Sequence, residues 1–147
     1  MMKQLIVLGG LLLAQPGAAQ SPAPAQAAAP TLSPDGRAVL AYINELGTFM
    51  RQVLATPNDT QALITLHGPK LDRLKQRHRQ IQPMLARWRS SLTKAQMEAN
   101  YAQFMQESQF AKDIEWLKND AATNARLKRN PNLQAAIGRT MEELLVK

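Results

Sequence analysis

Apolar positions recur along this chain at spacings of three and four, and nowhere in a sustained alternation of two. From Ser33 onward Val39, Ile43, Leu46, Met50 and Val53 form one such series, widened by Leu40, Phe49 and Leu54. This is the stripe of an amphipathic helix, expected to end near Ala55. Ser33-Pro34-Asp35 opens it: Ser can cap, Pro suits the first helical position, and Asp favours the positive helix end. Gly47 inside the helix costs stability and fits a close crossing with another helix. Thr56-Pro57-Asn58-Asp59 starts a second, short helix with Leu63 and Leu66 inward. His67-Gly68-Pro69 ends it, Gly suiting a left-handed cap and Pro being unable to continue the ladder.

The most regular segment runs from Lys70 to Leu92. Leu71, Leu74, His78, Ile81, Leu85, Trp88 and Leu92 step alternately by three and four, a heptad seam. Pro83 lies off the seam, where a kink is expected. The seam can pack within the chain or against a second copy in an antiparallel homodimer. Thr93-Lys94-Ala95-Gln96 fits a capping box, with Leu92 and Met97 at the two ends of a hydrophobic staple. Met97, Tyr101, Phe104 and Met105 follow. Phe110, Ile114, Leu117 and Ala121 continue in a shifted phase, which predicts a bend at 107–109 or burial on two sides. That helix should end before Asn130-Pro131. A last helix, Asn132 to Val146, turns Leu133, Ile137, Met141, Leu144 and Leu145 inward. The expected fold is all-α: one small bundle of four to five helices over 33–147.

The chain ahead of the bundle has a different character. Met1-Met2-Lys3-Gln4 is a short basic start, Leu5 to Ala14 is apolar, and Gly17-Ala18-Ala19 offers small residues for a peptidase. The pattern predicts a signal peptide over 1–19. A membrane-spanning helix needs roughly 20 apolar residues, and this run is about half that. Residues 20–32 are rich in Pro and Ala and uncharged, which predicts a flexible or polyproline-like tether. An exported protein follows, periplasmic in the first reading and secreted in the second. It has no cysteine, so it must hold together by helix packing without disulfides.

The formal net charge is +7, or +6 once Lys3 leaves with the leader. A positive surface favours anionic partners such as acidic proteins, anionic lipid or wall polymers. Nucleic acid ranks last for an exported chain. The charge concentrates in one helix, where Lys70, Arg73, Lys75, Arg77, Arg79, Arg87 and Arg89 face a single carboxylate, Asp72, for a net +6. These cations flank both sides of the apolar seam, with Trp88 among them. They form the candidate binding surface, a cationic and partly apolar face for acidic or unfolded polypeptides or anionic envelope surfaces. Carboxylates between Glu98 and Asp120 on the following helix are the expected counter-charge within the fold.

No residue pattern names a reaction. The two histidines, His67 and His78, stand eleven apart across a chain break, and no HExxH or acidic cage occurs, so no metal or cofactor is expected. His78, on the seam, reads as a hydrogen-bonded core histidine. Methionines on the helix stripes read as core filling. There is no GxSxG turn, no Cys nucleophile and no Gly-rich phosphate loop, so the expectation is a non-enzyme.

Leu92, Thr93 and Gln96 also stand as an LTxxQ pattern, which resembles the periplasmic LTxxQ (Spy/CpxP-like) family. That family consists of small exported helical proteins that form curved dimers and hold clients without ATP on a basic, partly apolar concave face. It usually carries two motif copies. Here the second candidate, Leu32-Ser33-Pro34-Asp35-Gly36, has Ser for Thr and Gly for Gln. The resemblance implies an ATP-independent chaperone that binds unfolded polypeptides. The expected function is an exported, non-enzymatic envelope protein that binds other proteins through a cationic helical surface. The alternatives are a binder of anionic membrane or cell wall, and an inhibitor or immunity protein for one exported partner.

Overall fold

A computed structural model of the chain describes residues 31–145. The predicted signal peptide, most of the tether, and Val146 and Lys147 lie outside the described residues. The fold is all-α. Seven helices occur among the described residues: α1 Pro34–Ala55, α2 Asp59–Leu66, α3 Pro69–Ser90, α4 Lys94–Glu107, α5 Gln109–Asn119, α6 Ala121–Arg129 and α7 Pro131–Leu144. None of them is long and apolar enough to cross a membrane.

The number exceeds the expected four to five because short polar side chains end helices the apolar pattern would continue. Ser108 closes α4 and caps α5, accepting from the Ala111 N–H at 3.2 Å. Asp120 closes α5 and caps α6, accepting from the Thr123 N–H at 2.9 Å. Asn130 caps α7 in the same way, at the helix end expected before Asn130-Pro131. The bend predicted at 107–109 is therefore a full break, and a second break at Asp120 was not expected. Each cap satisfies a backbone donor that the first turn of a helix leaves unpaired. Gly68 also differs from expectation. It sits at φ −89°, so Pro69 opens α3 without any left-handed turn before it. α3 runs unbroken through Pro83, which is exposed.

α1 is the axis of the bundle. Eleven of its twenty-two residues are buried, more than one stripe supplies, because partners cover it on several sides. It packs chiefly along α3, then against α5 and α2, while α7 closes over α2, α6 and α3. The seam residues Leu71, Leu74, Ile81 and Leu85 join Tyr42, Leu46 and Val53 in one continuous core. Leu32, assigned to the tether from sequence, is only 3% exposed, and its carbonyl accepts from Arg37 Nε at 3.1 Å. The folded unit thus begins at Leu32.

Two glycines let helices approach closely. A Cβ on Gly47 would lie 3.0 Å from Phe110 Cδ2 and 3.3 Å from its Cα, which is the crossing of α1 and α5. A Cβ on Gly36 would lie 2.8 Å from Trp88 Cε2. On α7, by contrast, a Cβ on Gly138 would meet nothing within 4 Å.

A polar chain fixes the register of three helices. The Tyr42 hydroxyl donates to the Leu144 carbonyl at 2.6 Å. With its one proton spent there, it must accept from His78 Nδ1–H at 3.1 Å. His78 Nε2 is then left to accept from the Gln82 amide at 2.8 Å. His78 is hydrogen-bonded, as anticipated from its place on the seam, but half-buried at the edge of the core. Burial, and then the nearby Glu45 carboxylate, push the Tyr42 phenol far above its ordinary pKa, so it stays a donor.

A second polar cluster ties down α6. Arg126 Nε donates to Asp59 at 2.7 Å and its Nη1 to the Leu54 carbonyl at 2.8 Å, while Asn130 donates to the other Asp59 oxygen at 2.9 Å. The bonds from Asn130 and then Arg126 hold the Asp59 carboxyl below its ordinary value of 3.8.

Three expectations follow for stability, each read by chemical denaturation. Gly36→Ala should destabilise by about 1–3 kcal/mol through overpacking against Trp88, outweighing the gain in helix propensity, whereas Gly138→Ala should stabilise by about 0.5–1 kcal/mol. Tyr42→Phe should cost about 1–3 kcal/mol, because the buried Leu144 carbonyl loses its donor. Asp59 has a depressed pKa, so its contribution is present above its ordinary value and lost as pH falls below it. Asp59→Asn should therefore weaken the protein at neutral pH and much less at pH ~2–3.

Candidate functional site

The cations of α3 are set by helix geometry. At about 100° per residue, Arg73 and Arg77 fall on one flank of the seam, and Lys75, Arg79 and Arg89 on the other. The seam between them is buried in the core. The expected single cationic and apolar face is therefore two cationic rims with a buried strip between. The apolar half of that face is not available to a partner.

Within the rims the side chains differ. Lys75 pairs with Glu143 of α7 at 2.9 Å. Arg87 grips Asp35 with two bonds of 3.0 Å, Nε to one carboxylate oxygen and Nη2 to the other. This pair joins the last turn of α3 to the first turn of α1, so each charge also meets a helix end of opposite sign. Solvent screens exposed pairs of this kind, so here they chiefly set orientation. Lys70 donates to the Gln52 side chain on α1 at 2.7 Å. Arg73, Arg79 and Arg89 are exposed and Arg77 is half-buried, and none of the four makes an ion pair among the described residues.

Two expectations are corrected here. The counter-charge for α3 comes from Asp35 and Glu143, not from the carboxylates between Glu98 and Asp120. Of those, Asp113 pairs with Arg51 of α1, and Asp120 is spent as a helix cap. Trp88 is not part of an exposed surface either. It is half-buried, its indole lies against Gly36 and stacks on Phe104 at 5.9 Å, and its Nε1 has no hydrogen-bond partner among the described residues.

The LTxxQ residues act locally. Thr93 Oγ1 accepts from the Gln96 N–H at 3.3 Å, and Gln96 Oε1 accepts from the Thr93 N–H at 2.9 Å, which completes the capping box. Leu92 is half-buried beside it. Ser33 caps α1 in the same way, accepting from the Gly36 N–H at 3.1 Å.

The structure adds an apolar cleft that the sequence did not mark. It lies between α1 and α5, over α7. Met50, Leu54, Phe110, Ile114 and Leu117 line an inner recess of about 50 Å³. A second, shallow cleft of about 420 Å³ shares Arg51, Leu54 and Trp116 with it. Trp116 is 47% exposed at the rim. It stands between Ile114 and Leu117, off the apolar stripe, and a tryptophan on the polar flank of an amphipathic helix was the available signal.

No group of three or more His, Asp or Glu side chains that could hold a metal occurs among the described residues. Comparison of the chain with protein-family models, with curated proteins and with solved structures gives no match.

Proposed function

We propose that this chain is an exported, non-enzymatic envelope protein that holds acidic, partly apolar segments of other polypeptides without nucleotide. The observation that supports this most is the exposure of Arg73, Arg79 and Arg89 with no carboxylate partner among the described residues. Their attraction is spread around α3 and reaches about 8 Å at physiological salt. It suits extended chains that wrap a surface better than a single anionic group that fits a pocket. The apolar side chains of such a segment find their counterpart in the cleft rimmed by Trp116. The capping box at Leu92, Thr93 and Gln96, with its likeness to the LTxxQ family, agrees with a chaperone-like role.

The test uses an acidic polypeptide that cannot fold, such as reduced and carboxymethylated α-lactalbumin. The protein should bind it at low salt and release it as salt rises. The triple substitution Arg73→Gln, Arg79→Gln and Arg89→Gln should weaken binding about tenfold, equivalent to about 1.4 kcal/mol. Its unfolding free energy should stay within about 0.5 kcal/mol of the parent, as for other exposed positions. Undiminished binding by the triple variant would overturn the reading. Binding to anionic vesicles with none to the polypeptide would replace it with the envelope-surface alternative.

A further inference from the structure

We propose that α4 is a hinged lid, which swings off α3 as an intact helix and uncovers the Trp88–Phe104 pair as an aromatic contact surface for a bound polypeptide. The motion is argued from the structure alone; its use in capture rests on the protein-binding reading above.

α4 is held to the bundle more weakly than any comparable element. Its one buried residue is polar, Asn100, and that amide is spent on the Gln96 carbonyl of the same helix at 2.8 Å. The side-chain bond of Gln103 also stays inside α4, reaching Glu107. No hydrogen bond or ion pair joins α4 to another helix among the described residues. The neighbouring α6 makes an instructive contrast. It buries no whole residue, but Arg126 anchors it to Asp59 and to the Leu54 carbonyl. What holds α4 is apolar contact, chiefly Phe104 stacked on Trp88.

That contact carries its own opposing cost. In the closed arrangement Trp88 Nε1 and Gln103 Oε1 are both buried with no hydrogen-bond partner among the described residues. Trp88 Nε1 lies against Gly36 of α1, but Gln103 Oε1 travels with α4, and swinging outward lets it reach water, which offsets the loss of the stack. The helix also travels well. Its capping box is internal, between Thr93 and Gln96, so its first turn stays satisfied when it moves. Ser91, Leu92 and Thr93 form one hinge and Ser108 the other. Ser108 is 1% exposed and bonded to α5, so that pivot stays in place. Met105 is 41% exposed on α4, so the lid carries apolar surface beyond what it now covers.

Hydrogen exchange on the folded protein tests the motion. Once off α3, a helix of 14 residues is marginal in water and opens its own hydrogen bonds readily, so amides of 97–107 should exchange together, about tenfold or more faster than those of α1 and the middle of α3. Gln103→Leu removes one orphaned acceptor and should slow α4 exchange several-fold. Phe104→Ala should speed it while α1 stays protected. Equal protection of α4 and α1 would overturn the lid, as would loss of α1 protection in Phe104→Ala, which would make α4 part of the core. Capture is read separately in the unsubstituted protein by oxidative footprinting of Trp88, which mass spectrometry resolves from Trp116. The bound acidic polypeptide should shield the Trp88 indole from oxidation. If α4 opens and the polypeptide binds but Trp88 oxidises as before, capture under the lid is overturned and binding rests on the arginine rims and the Trp116 cleft.

Discussion

The structure depends on keeping α1 out of water. A helix with half of its residues buried cannot be sheltered by one partner, because a single packed face covers only a stripe. α3 takes the longest side, and α5 and α2 take others. Each approach is tuned at a point on α1 itself: Gly36 admits the Trp88 ring, Gly47 admits Phe110, and Tyr42 reaches across to His78 and Leu144. Ion pairs then fix directions. Arg87 meets Asp35 at the start of α1, and Arg51 meets Asp113 toward its end. With no cysteine in the chain, the whole assembly rests on these noncovalent contacts.

That dependence explains why the strongest charge feature of the sequence is not a simple surface. A heptad seam flanked by arginines looks like an amphipathic face turned outward. Because α1 needs the seam, the face is turned inward and its charged margins are separated. Two margin residues then pair with neighbouring helices and Lys70 bonds Gln52 of α1, while Arg73, Arg79 and Arg89 stand exposed on opposite sides. The exposed large apolar side chains near these helices lie elsewhere, at Trp116 on the rim of the α1–α5 cleft and at Met105 on α4.

What could be read from the sequence was what local spacing determines. The stripes of α1 and α3 and the Thr93–Gln96 box depend on residues a few positions apart, and all are present in the fold; at His78 and Gly47 only the position on the stripe was legible, because their partners Tyr42 and Phe110 come from distant parts of the chain. What could not be read depends on competition or on distance. At Asp120 the run Ala121-Ala122-Thr123 is compatible with a continuing helix, yet the carboxylate caps the next one and the chain breaks. The carboxylates that pair with α3 come from Asp35 and Glu143, far away along the chain, whereas the adjacent helix offered more acids and uses them elsewhere. Trp88 has the composition of a contact residue, but Gly36, brought to it by the crossing of α1, makes it part of the interior. Trp116 was missed because periodicity points to the stripe and says nothing of its edge.

Ser108, Asp120 and Asn130 each end one helix and begin the next with the same residue. The C-terminal half is thus a linkage of stiff rods joined at single-residue pivots, with no slack between them. One residue added inside a rod would rotate everything beyond it by about 100°, carrying Phe110, Ile114 and Leu117 off the flank they line. Changes in chain length are therefore barred from this half and tolerated only where a connector has residues to spare, at 56–58 and 91–93.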